Sequence, residues 1–97
     1  MKAGIELDAL IAQNIMGGQR HYYSSDISAA LLVLNKVTDS GYAVNICRPW
    51  DETSERYWSV FFIDADTRGV SLADRTKKAN TLEHAICLAA LATLENE

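Results

Sequence analysis

The chain has 97 residues, a formal net charge of −4, 48% hydrophobic residues and 23% charged residues, which is typical of one globular domain spanning 1–97. No apolar run approaches the roughly 20 residues that cross a membrane, and the first residues lack the apolar core of a signal peptide. The nine Lys and Arg are scattered through an acidic chain, which disfavours nucleic acid as a partner because such binding depends on neutralised phosphates. We therefore expect a cytoplasmic protein without membrane contact.

Two helices are predicted in the first 41 residues. The first runs from Ile5 to Met16 and stops at Gly17-Gly18. The second starts at Ser24 or Ser25, either of which can cap it with its hydroxyl, and it ends at Ser40-Gly41. The start of this helix is also a generic anion site, but we expect the serines to cap it themselves. The residues predicted to face the core are Leu7, Leu10, Ile11, Ile15, Ile27, Ala30, Leu31, Leu34 and Val37.

Two strands follow, and a third is a weaker prediction. Tyr42 to Arg48 alternates in character and ends before Pro49, and Tyr57 to Asp64 is apolar on both faces at its centre. A short third strand is expected at Val70 to Asp74. Short loops between these strands imply antiparallel hairpins, since a parallel crossover needs a dozen or more residues.

The last predicted helix runs from Asn80 to Asn96 and is apolar around its whole circumference at its centre. Asn80 is the expected cap, with Glu83 completing a capping box. A helix of this kind must be covered by protein on most sides. Together with the two-sided strand, it predicts an α+β fold in the order α-α-β-β-(β)-α, a three-layer α/β/α sandwich with a small antiparallel sheet.

Motifs for catalysis and metal binding are weak. The segment Asp64 to Gly69 begins like a calcium loop, but Arg68 and Arg75 stand where ligands belong, so a turn is favoured. The chain has no nucleophile elbow and no phosphate-binding glycine motif. We therefore expect no metal, no cofactor and no enzymatic activity. The residues with metal-binding side chains, His21, Cys47, His84 and Cys87, lack paired spacing, and both cysteines are expected to be buried free thiols.

An arginine-rich aromatic group is the strongest candidate site. Aromatic rings beside arginines suit a nucleotide-like ligand, and they equally suit a protein contact. The alternative is that Tyr22 and Trp58 are core residues and that the arginines are solvated. If the strands form a hairpin, the two tryptophans approach each other. The candidate ligand-binding residues are Arg20, His21, Tyr22, Arg48, Trp50, Arg56 and Trp58.

Three motifs in this order resemble the phage ABA sandwich domain family of small phage proteins. They are Ile15-Met16-Gly17, the segment Tyr23 to Ala30, and the run Ala85 to Ala92. The chain departs from the family at Gly18 and Leu31, where members often carry tryptophan. The resemblance implies helix, sheet and helix layers and a phage or prophage origin. It implies no established activity, so no functional residue is transferred.

Two functions fit this context. The first is a phage or prophage protein that acts by non-catalytic binding in the bacterial host, sequestering a nucleotide-like signal or blocking a host factor. The second is a homo-oligomeric interaction or structural module. The expected partner is thus a small molecule, a host protein or a second copy of the chain, and an exposed aromatic patch would favour the second function.

Overall fold

The computed structural model describes residues 1–48, 57–64 and 76–94, and these contain three helices and three strands. In chain order the elements are α1 (Ile5–Asn14), α2 (Ile27–Asp39), β1 (Ala43–Cys47), β2 (Trp58–Ile63), β3 (Lys77–Ala79) and α3 (Leu82–Ala92). The predicted α+β class, the small antiparallel sheet and the order α-α-β-β-β-α are confirmed. No helix in these ranges is long and apolar enough to cross a membrane.

The sheet has the order β1-β2-β3, with both neighbouring pairs antiparallel. Val44 pairs with Phe62 and Trp58 with Ala79, and all four side chains pack in or against the core. Because side chains alternate along a strand, the residues between these positions point to the other side of the sheet, away from the core. On that side Cys47 pairs with Ser59. The exposure of Cys47 corrects its predicted burial, since β1 is an edge strand.

Helix α3 occupies the centre of the domain. It packs on β2 and β3 and also contacts both α1 and α2. This confirms that its all-round apolar sequence reflects burial on most sides. In the described residues the three helices share one hydrophobic core with the sheet face that carries Val60 and Phe62. The buried α3 residues are Ala85, Ile86, Cys87, Ala89, Ala90 and Ala92.

The starts of two helices differ from the prediction. Asp26 caps α2, because its carboxylate accepts a hydrogen bond from Ser28 N–H at 2.9 Å. Neither Ser24 nor Ser25 performs that role. Thr81 caps α3 by accepting a hydrogen bond from His84 N–H at 3.3 Å, which corrects the predicted cap at Asn80. In both cases the capping side chain lies one or two residues after the predicted one.

Two further features differ from the prediction, namely the residues of the described third strand and the buried face of α2. Strand β3 falls at Lys77–Ala79, in the segment expected to lead into the last helix. The predicted strand Val70 to Asp74 lies outside the described residues. On α2 the buried face is made by Ala29, Ala30, Val33 and Val37, whereas Ile27 and Leu31 are exposed. Small residues turn inward there because α2 packs closely on the alanine-rich α3.

Candidate functional site

Tyr23 anchors the connection between α1 and α2 in the core. Its side chain is fully buried, and its hydroxyl donates a hydrogen bond to the Gln19 carbonyl. The His21 ring meets the Tyr23 ring edge-on at a centroid distance of 5.7 Å. Directly before this anchor, the Tyr22 carbonyl accepts hydrogen bonds from Ser25 N–H and Asp26 N–H. The anchored loop holds Arg20, His21 and Tyr22 on the surface, where all three are exposed.

A buried polar network joins the start of α1 to the same connection. The Asp8 carboxylate accepts two hydrogen bonds at Oδ1, from Ser24 N–H at 2.8 Å and from Ser24 Oγ at 2.6 Å. Ser24 Oγ in turn accepts a hydrogen bond from Gly4 N–H at 2.9 Å. Asp8 is only 9% exposed, and Ser24 is fully buried. The network explains why Ser24 does not cap α2, since its hydroxyl is already engaged.

Helix α1 and the connection between α1 and α2 border an open pocket of about 490 Å³. Asp8 lies in its wall beside the basic and aromatic side chains of the loop, and exposed apolar surface completes it. Ile5 is 85% exposed and Tyr22 is 73% exposed, so both present large apolar areas to a ligand. The residues that line this pocket are Ile5, Asp8, Ala9, Arg20, His21 and Tyr22.

A second hollow of about 420 Å³ continues along α1 toward its C-terminal end. Ala9 and Arg20 line both hollows, so together they form one groove with Arg20 in the middle. Gly17 and Gly18 border the far end, and their φ angles of 66° and 90° favour glycine. The absence of side chains at these positions keeps that end open. The groove is defined here as both hollows with their lining residues.

The predicted arginine–aromatic group is divided in the structure. Arg20, His21 and Tyr22 come together in the groove, as predicted for one site. Arg48 lies over the Trp58 ring at 4.8 Å from its centroid, but neither residue is among those that line the groove. Trp58 is half-buried and packs against the core, which agrees with the alternative that it is a core residue. Trp50 and Arg56 lie outside the described residues, and so does the predicted approach of Trp50 to Trp58.

The alternative interpretation of Tyr22 as a core residue was wrong, because its neighbour Tyr23 takes the core position. Sequence analysis also missed Asp8, Ile5 and Ala9. Asp8 could have been found, since it shares one helix face with Leu7, Ile11 and Ala12, all of which are buried. An acidic residue inside such a stripe needs a buried partner or a ligand.

The pKa values of Tyr23 and Cys87 are both raised, and the charge of Asp8 contributes to each shift. Burial raises the pKa of the Tyr23 hydroxyl, and the charges of Asp8 and Cys87 raise it further. Burial also raises the pKa of the Cys87 thiol to about 12, with additional effects from Asp8 and Glu83. A thiol with such a pKa is a poor nucleophile at neutral pH. Within the described ranges, no group of three His, Cys, Asp or Glu side chains is placed to hold a metal ion.

Comparisons with known proteins returned no match: no family model, no curated protein and no solved structure is similar to this chain at a significant level. The site is therefore interpreted from its own geometry.

Proposed function

We propose that this is a non-catalytic binding protein whose groove takes a small nucleotide-like ligand. The observation that carries the proposal is the meeting of Arg20, Tyr22 and Asp8 in one open pocket. Arg20 supplies a guanidinium for a phosphate, and arginine suits that role because its donors match phosphate geometry. The exposed faces of Tyr22 and Ile5 supply apolar surface on which a planar base can stack.

Binding without turnover is favoured by how the pocket's polar groups are engaged. Asp8 accepts both of its hydrogen bonds from Ser24, while the His21 ring contacts Gln19 and Tyr23. The described hydrogen bonds do not join Asp8 to His21, so they form no Asp–His acid–base pair in this pocket. A protein that holds such a ligand without consuming it lowers the free concentration of that ligand.

The biological setting rests on the motif resemblance. A phage or prophage protein of this kind would act in the host cytoplasm by sequestering a nucleotide-like signal. Blocking of a host protein through the same groove is the other form of the proposal. The two forms differ in what occupies the groove, a small molecule or a side chain of a partner, and direct binding measurements separate them.

The test is isothermal titration calorimetry with purified nucleoside monophosphates, followed by chromatography of the recovered ligand. We expect binding to the unmodified chain and recovery of the ligand intact. Replacement of Arg20 by Ala should weaken binding at least tenfold, since a charge-assisted hydrogen bond contributes about 1.5–3 kcal/mol. The matched control is Arg48→Ala, which removes an arginine that lies over Trp58 and should leave the affinity unchanged. Chemical conversion of the ligand, or equal effects of both variants, would overturn the proposal.

A specific observation supports the homo-oligomer alternative. In the sheet formed by the described residues β1 lies at the edge, and its five residues Ala43–Cys47 include no charge and no proline. Natural edge strands are usually protected from pairing by charges, proline or bulges. A second copy could therefore pair with β1 and continue the sheet across a two-fold axis.

Light scattering during size-exclusion chromatography tests this alternative. If β1 pairs with itself, Asn45→Lys should convert a dimer to a monomer, because it places a charge on the pairing strand. Asn35→Lys adds the same charge at an exposed position of α2 and serves as the control. A chain that is monomeric at high concentration before any substitution would refute the alternative.

A further inference from the structure

Asp8 carries an acceptor that its protein partners leave unused. Both hydrogen bonds from Ser24 reach Oδ1, and no hydrogen bond from the described residues reaches Oδ2. A carboxylate has about four acceptor positions, so half of the group is unsatisfied by these residues. At 9% exposure Asp8 is buried, and it nevertheless lines the pocket. A buried, partly unsatisfied carboxylate in the wall of an open pocket takes its remaining hydrogen bonds from water or from a ligand donor that displaces the water.

We infer that Asp8 selects the ligand by accepting hydrogen bonds from an N–H edge, and that the groove therefore prefers guanine nucleotides. This inference rests on the proposed function. Because Ser24 occupies Oδ1, Oδ2 is the available acceptor, and it is matched by a base edge that presents donors and no lone pair toward it. Guanine has such an edge at N1–H and its 2-amino group. Adenine instead presents its N1 acceptor beside its 6-amino donor, which sets a lone pair against the carboxylate.

The rest of the pocket is compatible with this orientation. With the base edge on Asp8, the ring would lie against the apolar surface of Tyr22 and Ile5. Arg20 also lines the second hollow, so a phosphate extending along the groove stays within reach of its side chain. A site built around a hydrogen bond rejects a ligand that lacks the partner, because the buried group is then left unpaired. Selectivity should therefore follow the donors of the base.

The experiment is calorimetric titration with GMP, IMP and AMP. IMP keeps N1–H but lacks the 2-amino group, so it isolates one donor. We expect GMP to bind roughly tenfold more tightly than IMP, and AMP to bind most weakly. Asp8→Asn keeps an oxygen for Ser24 but replaces Oδ2 by an NH₂ donor. This variant should lose the preference for GMP over AMP, while Arg20→Ala should weaken all three ligands by a similar factor.

The outcomes separate this inference from the proposed function. If the three nucleotides bind equally well, the selective role of Asp8 is refuted while binding in the groove stands. If none binds, both fail. Circular dichroism establishes whether Asp8→Asn is folded, and if it is unfolded, the ranking of GMP, IMP and AMP on the unmodified chain still decides. Unchanged selectivity in a folded Asp8→Asn variant would also overturn the assignment.

Discussion

Ser24→Ala should be far more destabilising than Ser25→Ala, although both serines stand at the same predicted helix start. The Ser24 hydroxyl is fully buried and makes two hydrogen bonds, one donated to the Asp8 carboxylate at 2.6 Å and one accepted from Gly4 N–H at 2.9 Å. Ser25 is exposed, and its backbone N–H bonds to Tyr22 in a way that alanine preserves. The two variants therefore change the same residue type at neighbouring positions, but only Ser24→Ala removes buried hydrogen bonds.

The magnitude follows from the two lost bonds. A hydrogen bond to a charged group contributes about 1.5–3 kcal/mol and a neutral one about 1 kcal/mol. The Ser24 N–H bond to Asp8 remains in the variant, so the carboxylate keeps one partner. We expect Ser24→Ala to lower the free energy of unfolding by about 2.5–4 kcal/mol, and Ser25→Ala to change it by less than about 0.5 kcal/mol.

Urea titration followed by circular dichroism at the helix band measures both values. The dependence of the unfolding free energy on urea should be similar in all variants, so the midpoints report stability directly. A double-mutant cycle with Asp8→Asn provides a second check, because residues in one network couple by about 0.5–3 kcal/mol. A loss below about 1 kcal/mol in Ser24→Ala, or equal losses in the two serine variants, would refute the buried network as a source of stability.

Three further predictions concern positions outside the groove. A thiol reagent should modify one cysteine per folded chain and both in urea, because Cys47 is exposed while Cys87 is buried with a pKa of about 12. The free energy of unfolding should fall as the pH rises from 9.0, the ordinary thiol pKa, toward 12, because Cys87 loses its proton at a lower pH in the unfolded chain than in the folded one. The expected slope is up to about 1.4 kcal/mol per pH unit. Urea titrations at several pH values should show a smaller slope in Cys87→Ala. Thr81→Ala should cost about 1 kcal/mol of unfolding free energy and Asn80→Ala less than about 0.5, and thermal unfolding that ranks them the other way would contradict the observed cap.

The fold could be predicted from the sequence where the pattern was strong. The all-round apolar run from Ala85 to Ala92 predicted a central helix, and α3 is contacted by β2, β3 and both other helices. The run from Val60 to Ile63, apolar on both faces, predicted the strand that the structure shows as β2. Boundaries and caps were less predictable, because Ser24, Ser25 and Asp26 all have capping side chains. The choice among them depended on Asp8, which is 16 residues from Ser24 in the chain.

The candidate site was only partly predictable for the same reason. Arg20, His21 and Tyr22 are adjacent in sequence, so any fold would have kept them near one another. Which of Tyr22 and Tyr23 turns inward was decided by tertiary packing, and alternation alone could not settle it. Strand pairing brings Arg48 and Trp58 together, since continuing the register of Cys47 with Ser59 by one residue places them side by side.

The network of Asp8 and Ser24 links the stability of the domain to the proposed binding. It holds the start of α1 against the connection that leads into α2, and Asp8 also lines the pocket. A ligand donor that completes Asp8 would bind the folded chain and not the unfolded one, so it would raise the apparent stability by mass action. Variants of these two residues must therefore be compared by affinity and by unfolding together. Loss of binding in a variant of unchanged stability identifies a contact with the ligand, whereas loss of both identifies the scaffold that shapes the pocket.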